Sequence, residues 1–167
     1  MDRNLNNSWL VTDISADLAR PSGPSYELTV DRQKFLKTRL QTERSIAVQN
    51  SEYFLPAERV GELAAQLQDG DFVNVVSTRN GGYWVSHVGL VATGPDGERR
   101  FLHSSEPQVC EESFGAFVAR AREREERNAR EGKNGQKLAG FKFLRLNDNI
   151  VVPPAAPQPR PGFASAN

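Results

Sequence analysis

Cysteine is almost missing from this sequence: Cys110 is the single thiol. An internal disulfide and a cysteine-rich zinc site are excluded at once. Net charge is missing too, because 21 Lys and Arg balance 21 Asp and Glu. That balance argues against a general polyanion binder, so no nucleic-acid partner is expected. No apolar run approaches the roughly 18 residues of a membrane helix, so no membrane span is expected. Residues 1–10 are polar and rich in Asn, without the basic start and apolar core of a signal peptide. Histidine is scarce as well, and both copies, His87 and His103, fall in one stretch between Asp69 and Ser105.

What is present suits one domain. The chain has 167 residues, 38% of them hydrophobic, enough for one core but hardly for two. Residues 1–50 are weakly patterned. They are expected to form an irregular N-terminal segment, with Trp9 anchored on the domain and a loop at Pro21-Ser22-Gly23-Pro24. One helix is expected there, capped by Asp31 and running to about Val48, with Phe35, Leu36 and Leu40 on one side. A clearer helix is predicted over 56–68. Proline suits its first position, and Val60, Leu63, Ala64 and Leu67 form a buried stripe.

The core, residues 51–150, then turns β-rich. Strands are predicted over 72–78, 85–93 and 98–104, with a short extra one at Gln108-Val109-Cys110. The second carries apolar residues on both faces, so the sheet should be covered on both sides. Ser113 can cap a helix whose stripe is Phe114, Phe117, Val118 and Ala121. From Arg122 to Arg130 that helix is polar apart from Ala129, with Arg122/Glu126 and Glu123/Arg127 at i, i+4 spacing, and Gly132 and Asn134-Gly135 stop it. The alternation in Phe141-Lys142-Phe143-Leu144-Arg145-Leu146 reads as a half-buried closing strand. Residues 151–167, with five prolines, read as a disordered tail.

The two histidines should meet. Gly94-Pro95-Asp96-Gly97-Glu98 is close to the x-P-D-G-x turn signature. A three-residue loop, with Gly97 as the left-handed bulge residue, sets Glu98 opposite Gly94. Counting back, Val91 faces Phe101, Gly89 faces His103 and His87 faces Ser105. His87 and His103 then share one face of the sheet on a diagonal, about 7–8 Å apart at the backbone. Gly89 leaves room opposite the His103 ring. A neutral imidazole whose second nitrogen is held by another group can take a proton from a nucleophile. His87 as base and His103 as orienter fit that relationship. A zinc site would need a third ligand. Asp71 and Glu106 are the candidates, neither at a diagnostic spacing, and no metal or other cofactor is expected.

Taken in order, Asp69-Gly70-Asp71-Phe72, Ser86-His87-Val88-Gly89-Leu90 and Leu102-His103-Ser104-Ser105 resemble the C-terminal half of the NlpC-type, papain-like cell-wall amidases. Tyr53-Phe54-Leu55-Pro56 before Gly-Asp, and the closing Phe143-Leu144-Arg145, resemble most the N-acetylmuramoyl-L-alanine amidase-like branch. The resemblance covers roughly residues 51–146. It implies an α+β fold, with a papain-like antiparallel sheet core packed by helices. It implies hydrolysis of the N-acetylmuramoyl-L-alanine amide by cysteine/histidine acyl transfer, with His87 and His103 catalytic. The substrate would be a peptidoglycan fragment, a muropeptide, and the place of work extracytoplasmic. Ser86, Ser104 and Ser105 would bind substrate or fix an imidazole. Tyr83 and Trp84 would line a sugar or peptide groove, with core packing or a lid as equal alternatives.

One departure is large. The family's nucleophile is a cysteine at the start of a helix, upstream of the histidines, and no cysteine precedes His87 here. Cys110 lies downstream beside Glu111 and Glu112, whose negative charge works against a thiolate nucleophile. The catalytic portion therefore reads as incomplete at its N-terminal side. Two readings follow: an amidase completed by an upstream nucleophile-bearing segment, or a non-catalytic muropeptide-binding or interaction module. A metal-dependent hydrolase using both histidines is a third.

Overall fold

The computed structural model describes residues 10–19, 25–31, 41 and 47–148. Among them a seven-stranded antiparallel sheet carries the fold. Its strands are β1 (Val11–Asp13), β4 (Leu55–Pro56), β5 (Phe72–Arg79), β6 (Gly82–Thr93), β7 (Arg99–Ser105), β8 (Gln108–Ser113) and β9 (Lys137–Leu146). The order is β1-β9-β5-β6-β7-β8, with β4 also on β9. A second sheet pairs β2 (Ser25–Asp31) with β3 (Ala47–Tyr53). Helices are α1 (Ser15–Ala19), α2 (Val60–Leu63) and the long α3 (Phe114–Arg130).

One sheet face is the apolar core. Val73, Val75, Val91, Phe101, Phe141 and Phe143 meet Val60 and Leu67 from the α2 region, and Phe114 and Ala121 of α3, in one buried cluster. Phe101 anchors it, stacked on Phe114 at 5.8 Å between ring centroids and edge-on to Phe117 at 5.1 Å. Ser113 caps α3 by accepting the Ala116 amide at 3.1 Å. At the other end Gly132 adopts φ +65°, a conformation that stops the helix.

Several expectations need correction. The helix over 31–48 does not have its expected ends: Asp31 closes strand β2 and Ala47-Val48 open strand β3. The alternation of Tyr26, Leu28 and Val30 with polar residues is a strand period that the helical reading passed over. Residues 32–40 and 42–46 lie outside the described residues, as do Trp9, the 21–24 loop and the 151–167 tail. The helix over 56–68 is broken into 3₁₀ turns (Ala57–Arg59 and Ala64–Gln66) on either side of α2. Pro56 belongs to β4, opposite Gly140. The stripe still works, since Val60 and Leu67 are buried.

The closing strand is not half-buried. Phe141, Lys142, Phe143 and Leu144 are all buried, because β9 is an inner strand with material on both faces. Lys142 is accommodated by ion pairs to Glu52 of β3 and, at 2.9 Å, to Asp13 of β1. A buried ammonium needs such partners. Arg122 does not pair with Glu126. It turns inward to Glu125, Glu58 and the Leu138 carbonyl, while Glu126 holds Arg130.

Candidate functional site

The hairpin that carries the histidines folds as its turn chemistry requires. The Gly94 amide donates to the Glu98 carbonyl at 2.8 Å, the Gly97 amide donates to the Gly94 carbonyl at 2.9 Å, and Gly97 has φ +81°. The register follows: Thr93 opposite Arg99, Val91 opposite Phe101, Gly89 opposite His103. The ladder ends there, so His87 and Ser105 are not a bonded pair, and His87 lies opposite Val75 of β5 instead. Gly89 is required by space. A Cβ on it would come within 2.3 Å of the Leu102 carbonyl oxygen and 2.6 Å of the Phe101 ring.

His87 and His103 meet directly. His87 Nε2 lies 2.9 Å from His103 Nδ1, and the rings are edge-on at 5.0 Å. His103 is buried and stacked on Phe101 at 4.5 Å, with Phe117 edge-on at 5.6 Å, so its ring is held on two sides. Its second nitrogen, Nε2, lies 2.8 Å from Glu112 Oε1. The same oxygen accepts from Arg120 at 2.5 Å. His87, His103, Glu112 and Arg120 thus form one chain of contacts across β6, β7, β8 and α3.

This chain fixes a tautomer. A carboxylate can only accept, so His103 Nε2 carries the hydrogen that Glu112 receives. In neutral His103 the Nδ1 atom is then bare and accepts from His87 Nε2–H. His87 Nδ1 is left with a lone pair, and it has no other hydrogen-bond partner among the described residues. Burial, and then the neighbouring His103, hold the His87 pKa below that of an ordinary imidazole. His87 is therefore held neutral, with one ring nitrogen left without a hydrogen-bond partner among the described residues.

A bulge shapes the floor beside it. Between Val75/His87 and Val76/Val85 the β5–β6 register slips by one, and Ser86 is the extra residue. The Ser86 and Ser77 hydroxyls lie 2.7 Å apart. A cavity of about 480 Å³ opens over this floor, lined by both serines and both histidines, by Val75, Phe117 and Leu138, and at its rim by Ser105, Arg120, Arg124 and Gln136.

Ser86 and Ser105 are thus with the histidines, while the other expected substrate residues are not. Ser104 alternates with His103 and points from the other sheet face. Tyr83 packs on Phe54, ring centroids 5.7 Å apart, and Trp84 lies under the Arg79 guanidinium at 5.9 Å. Both belong to strand β6, where a loop end was expected. Asp71 is remote from the histidines. It is buried and gripped by Arg145 through Oδ1 at 2.8 Å and Oδ2 at 2.7 Å, and it accepts the Gln68 amide. The Gly-Asp and Leu-Arg motifs are therefore two halves of one clamp. Cys110 stands directly opposite His103 on β8, on the edge of the sheet. No group of three or more His, Cys, Asp and Glu among the described residues is arranged to hold a metal.

Glu112 is the functional candidate that the sequence reading missed. The β7–β8 register sets Cys110 opposite His103, so Glu112 is the diagonal neighbour on the same face. Continuing the short strand past Cys110 would have found it.

A family model described as AmiA-like, N-acetylmuramoyl-L-alanine amidase-like, matches residues 3–122. The chain belongs to this amidase-like family. Among solved structures it is similar to an N-acetylmuramoyl-L-alanine amidase from Bacteroides uniformis, with 14% identity and a TM-score of 0.55 over 86% of this chain and 60% of that one. It is also similar to a candidate xylanase from Bacteroides fragilis, with 16% identity and a TM-score of 0.51 over 85% of this chain and 61% of that one. At these identities the likeness is one of fold. The chain spans about three fifths of the length of each structure. No curated protein sequence matches it. The His87–His103 pair and Glu112 all lie inside the stretch that the amidase-like family model covers.

Proposed function

We propose that this chain provides the proton-transfer half of a cysteine-type peptidoglycan amidase, papain-like in build, acting on the amide between N-acetylmuramic acid and L-alanine. The observation that carries this reading is the two-step contact from His87 Nε2 to His103 Nδ1, 2.9 Å, and from His103 Nε2 to Glu112, 2.8 Å, beside an open cavity.

In this reading His87 Nδ1 takes the proton from a thiol as the sulfur attacks the amide carbonyl. The carbon–nitrogen bond breaks, and His87 returns the proton to the departing amine of the peptide. Water, deprotonated by the same nitrogen, then hydrolyses the thioester and releases the muramic acid carboxylate and the thiol. His103 orients His87, and Glu112 holds the tautomer of His103. Cys110 is not taken as the thiol in this reading, because the carboxylates of Glu111 and Glu112 beside it work against a thiolate. The nucleophile comes from a cysteine-bearing segment outside this sequence.

The test is amide cleavage of an N-acetylmuramoyl-L-alanyl peptide by the chain alone and by the chain joined to the coding segment upstream of Met1. Turnover that needs the upstream cysteine and disappears in His87→Ala is the expected result. The position of Cys110 also favours a second reading, a non-catalytic muropeptide-binding module. Binding without turnover, even with the upstream segment in place, would select it.

A further inference from the structure

The rim of the histidine cavity has one sign of charge. Arg120 and Arg124, one turn apart on α3, are the charged side chains that line it apart from the histidines. The Glu112 carboxylate is already committed to His103 and Arg120, and Glu125 to Arg122 and the Leu138 amide. Arg124 has no ionic or hydrogen-bonded partner among the described residues, and the Gln136 side chain beside it has none either. Elsewhere on α3, Arg122 and Arg130 are both tied to carboxylates. One guanidinium and one amide thus face a cavity of about 480 Å³ without a partner in the protein.

We propose that Arg124, assisted by Gln136, is a subsite for a substrate carboxylate and sets the direction in which the substrate lies. A guanidinium fork matches the two oxygens of a carboxylate. The direction rests on the amidase reading above. On the acyl side of the scissile amide an N-acetylmuramoyl peptide presents the sugar and its neutral lactyl group. On the amine side it presents a peptide that bears free carboxylates. Arg124 therefore marks the side of the departing peptide. Recognition then depends on peptide charge, and amidated stem peptides are poorer ligands.

Three probes separate this from the reading beneath it: N-acetylmuramoyl-L-alanyl-D-glutamate, its bis-amide, and the sugar-free N-acetyl-L-alanyl-D-glutamate. Each is titrated into the full 167-residue chain at low salt, and affinity is read from amide and histidine resonance shifts. The acid should bind roughly fivefold tighter than the bis-amide, the size of a favourable exposed ion pair. Arg124→Gln should abolish that preference, Arg124→Lys should restore part of it, and Arg127→Gln, on the same helix outside the cavity, should leave it intact. Equal binding of acid and bis-amide overturns the subsite and leaves the amidase reading standing. Arg124-dependent binding of the sugar-free acid, with no gain from the sugar, keeps the subsite and overturns the muramoyl reading. Binding of none of the three overturns the subsite.

Discussion

Glu112 Oε1 lies 2.8 Å from His103 Nε2, and through His103 it decides which nitrogen of His87 is free. A carboxylate accepts only, but a carboxamide at the same position can also donate. Because Arg120 also donates to this oxygen, Glu112→Gln alone keeps an acceptor there; only when Arg120→Leu is added can the amide turn its NH2 to His103 Nε2, moving the ring hydrogen to Nδ1. His87 Nε2 must then accept, and its hydrogen moves to Nδ1, the atom that would take the proton from a nucleophile. Long-range ¹⁵N–¹H spectra of the imidazoles report the tautomer directly, without substrate. The expected result is inversion of both rings in Glu112→Gln/Arg120→Leu, with Glu112→Gln alone keeping the native pattern. Unchanged tautomers in the double variant would remove Glu112 from its positioning role.

The pH dependence of stability follows from His87. Its folded pKa is lowered, first by burial and then by the neighbouring His103. The unfolded chain takes up a proton near the ordinary imidazole value of about 6.5. Between that value and the lower folded one, the unfolded state binds more protons, so stability falls as pH drops through this window. Below the folded value the effect levels off. Urea unfolding midpoints measured from pH 8 to pH 5 should therefore decline, and His87→Gln should remove part of that slope. A His87→Gln profile parallel to the wild type would show that other groups supply it.

How much of this was legible in the sequence depended on distance along the chain. The pairing of Gly89 with His103 could be counted from Pro95-Asp96-Gly97, because a turn of that chemistry fixes register over the residues beside it. Glu112 depended on a second hairpin, whose strand was read as ending at Cys110. Lys142 looked like the solvent side of an alternating strand. Its partners, Glu52 and Asp13, are supplied by elements far away in the chain, and nothing local signals them. Asp71 and Arg145 were noticed as motif residues, but their mutual grip spans 74 positions and appears only once β5 and β9 are neighbours.

Gly89 offers a steric test. A methyl group there would meet a backbone carbonyl at 2.3 Å, which cannot rotate away as a side-chain tip could. Gly89→Ala must push β6 and β7 apart or displace the Phe101 ring. Overpacking of this kind costs about 1–3 kcal/mol. Chemical denaturation should show that loss. The Cβ would also lie 3.0 Å from the His103 Cβ, so the histidine resonances should shift even where the fold survives. A stability within about 0.5 kcal/mol of wild type would mean that the hairpin is looser than the geometry implies.

The Asp71–Arg145 clamp is the strongest structural prediction. Asp71 is 2% exposed and accepts three hydrogen bonds, two from Arg145 and one from the Gln68 amide. Arg145 is partly open to water, so the pair is not fully desolvated. Arg145→Gln leaves a buried carboxylate without its counterion, the more costly way to break such a pair. Asp71→Asn removes the charge but keeps the shape and the acceptor for Gln68. Losses of about 3 kcal/mol for Arg145→Gln and about 1–2 kcal/mol for Asp71→Asn are expected. The double variant should fall well short of their sum, because once the carboxylate is gone the arginine has little left to neutralise. Strict additivity in denaturant titrations would show that the two motifs act separately and that the clamp is not what joins β9 to the loop before β5.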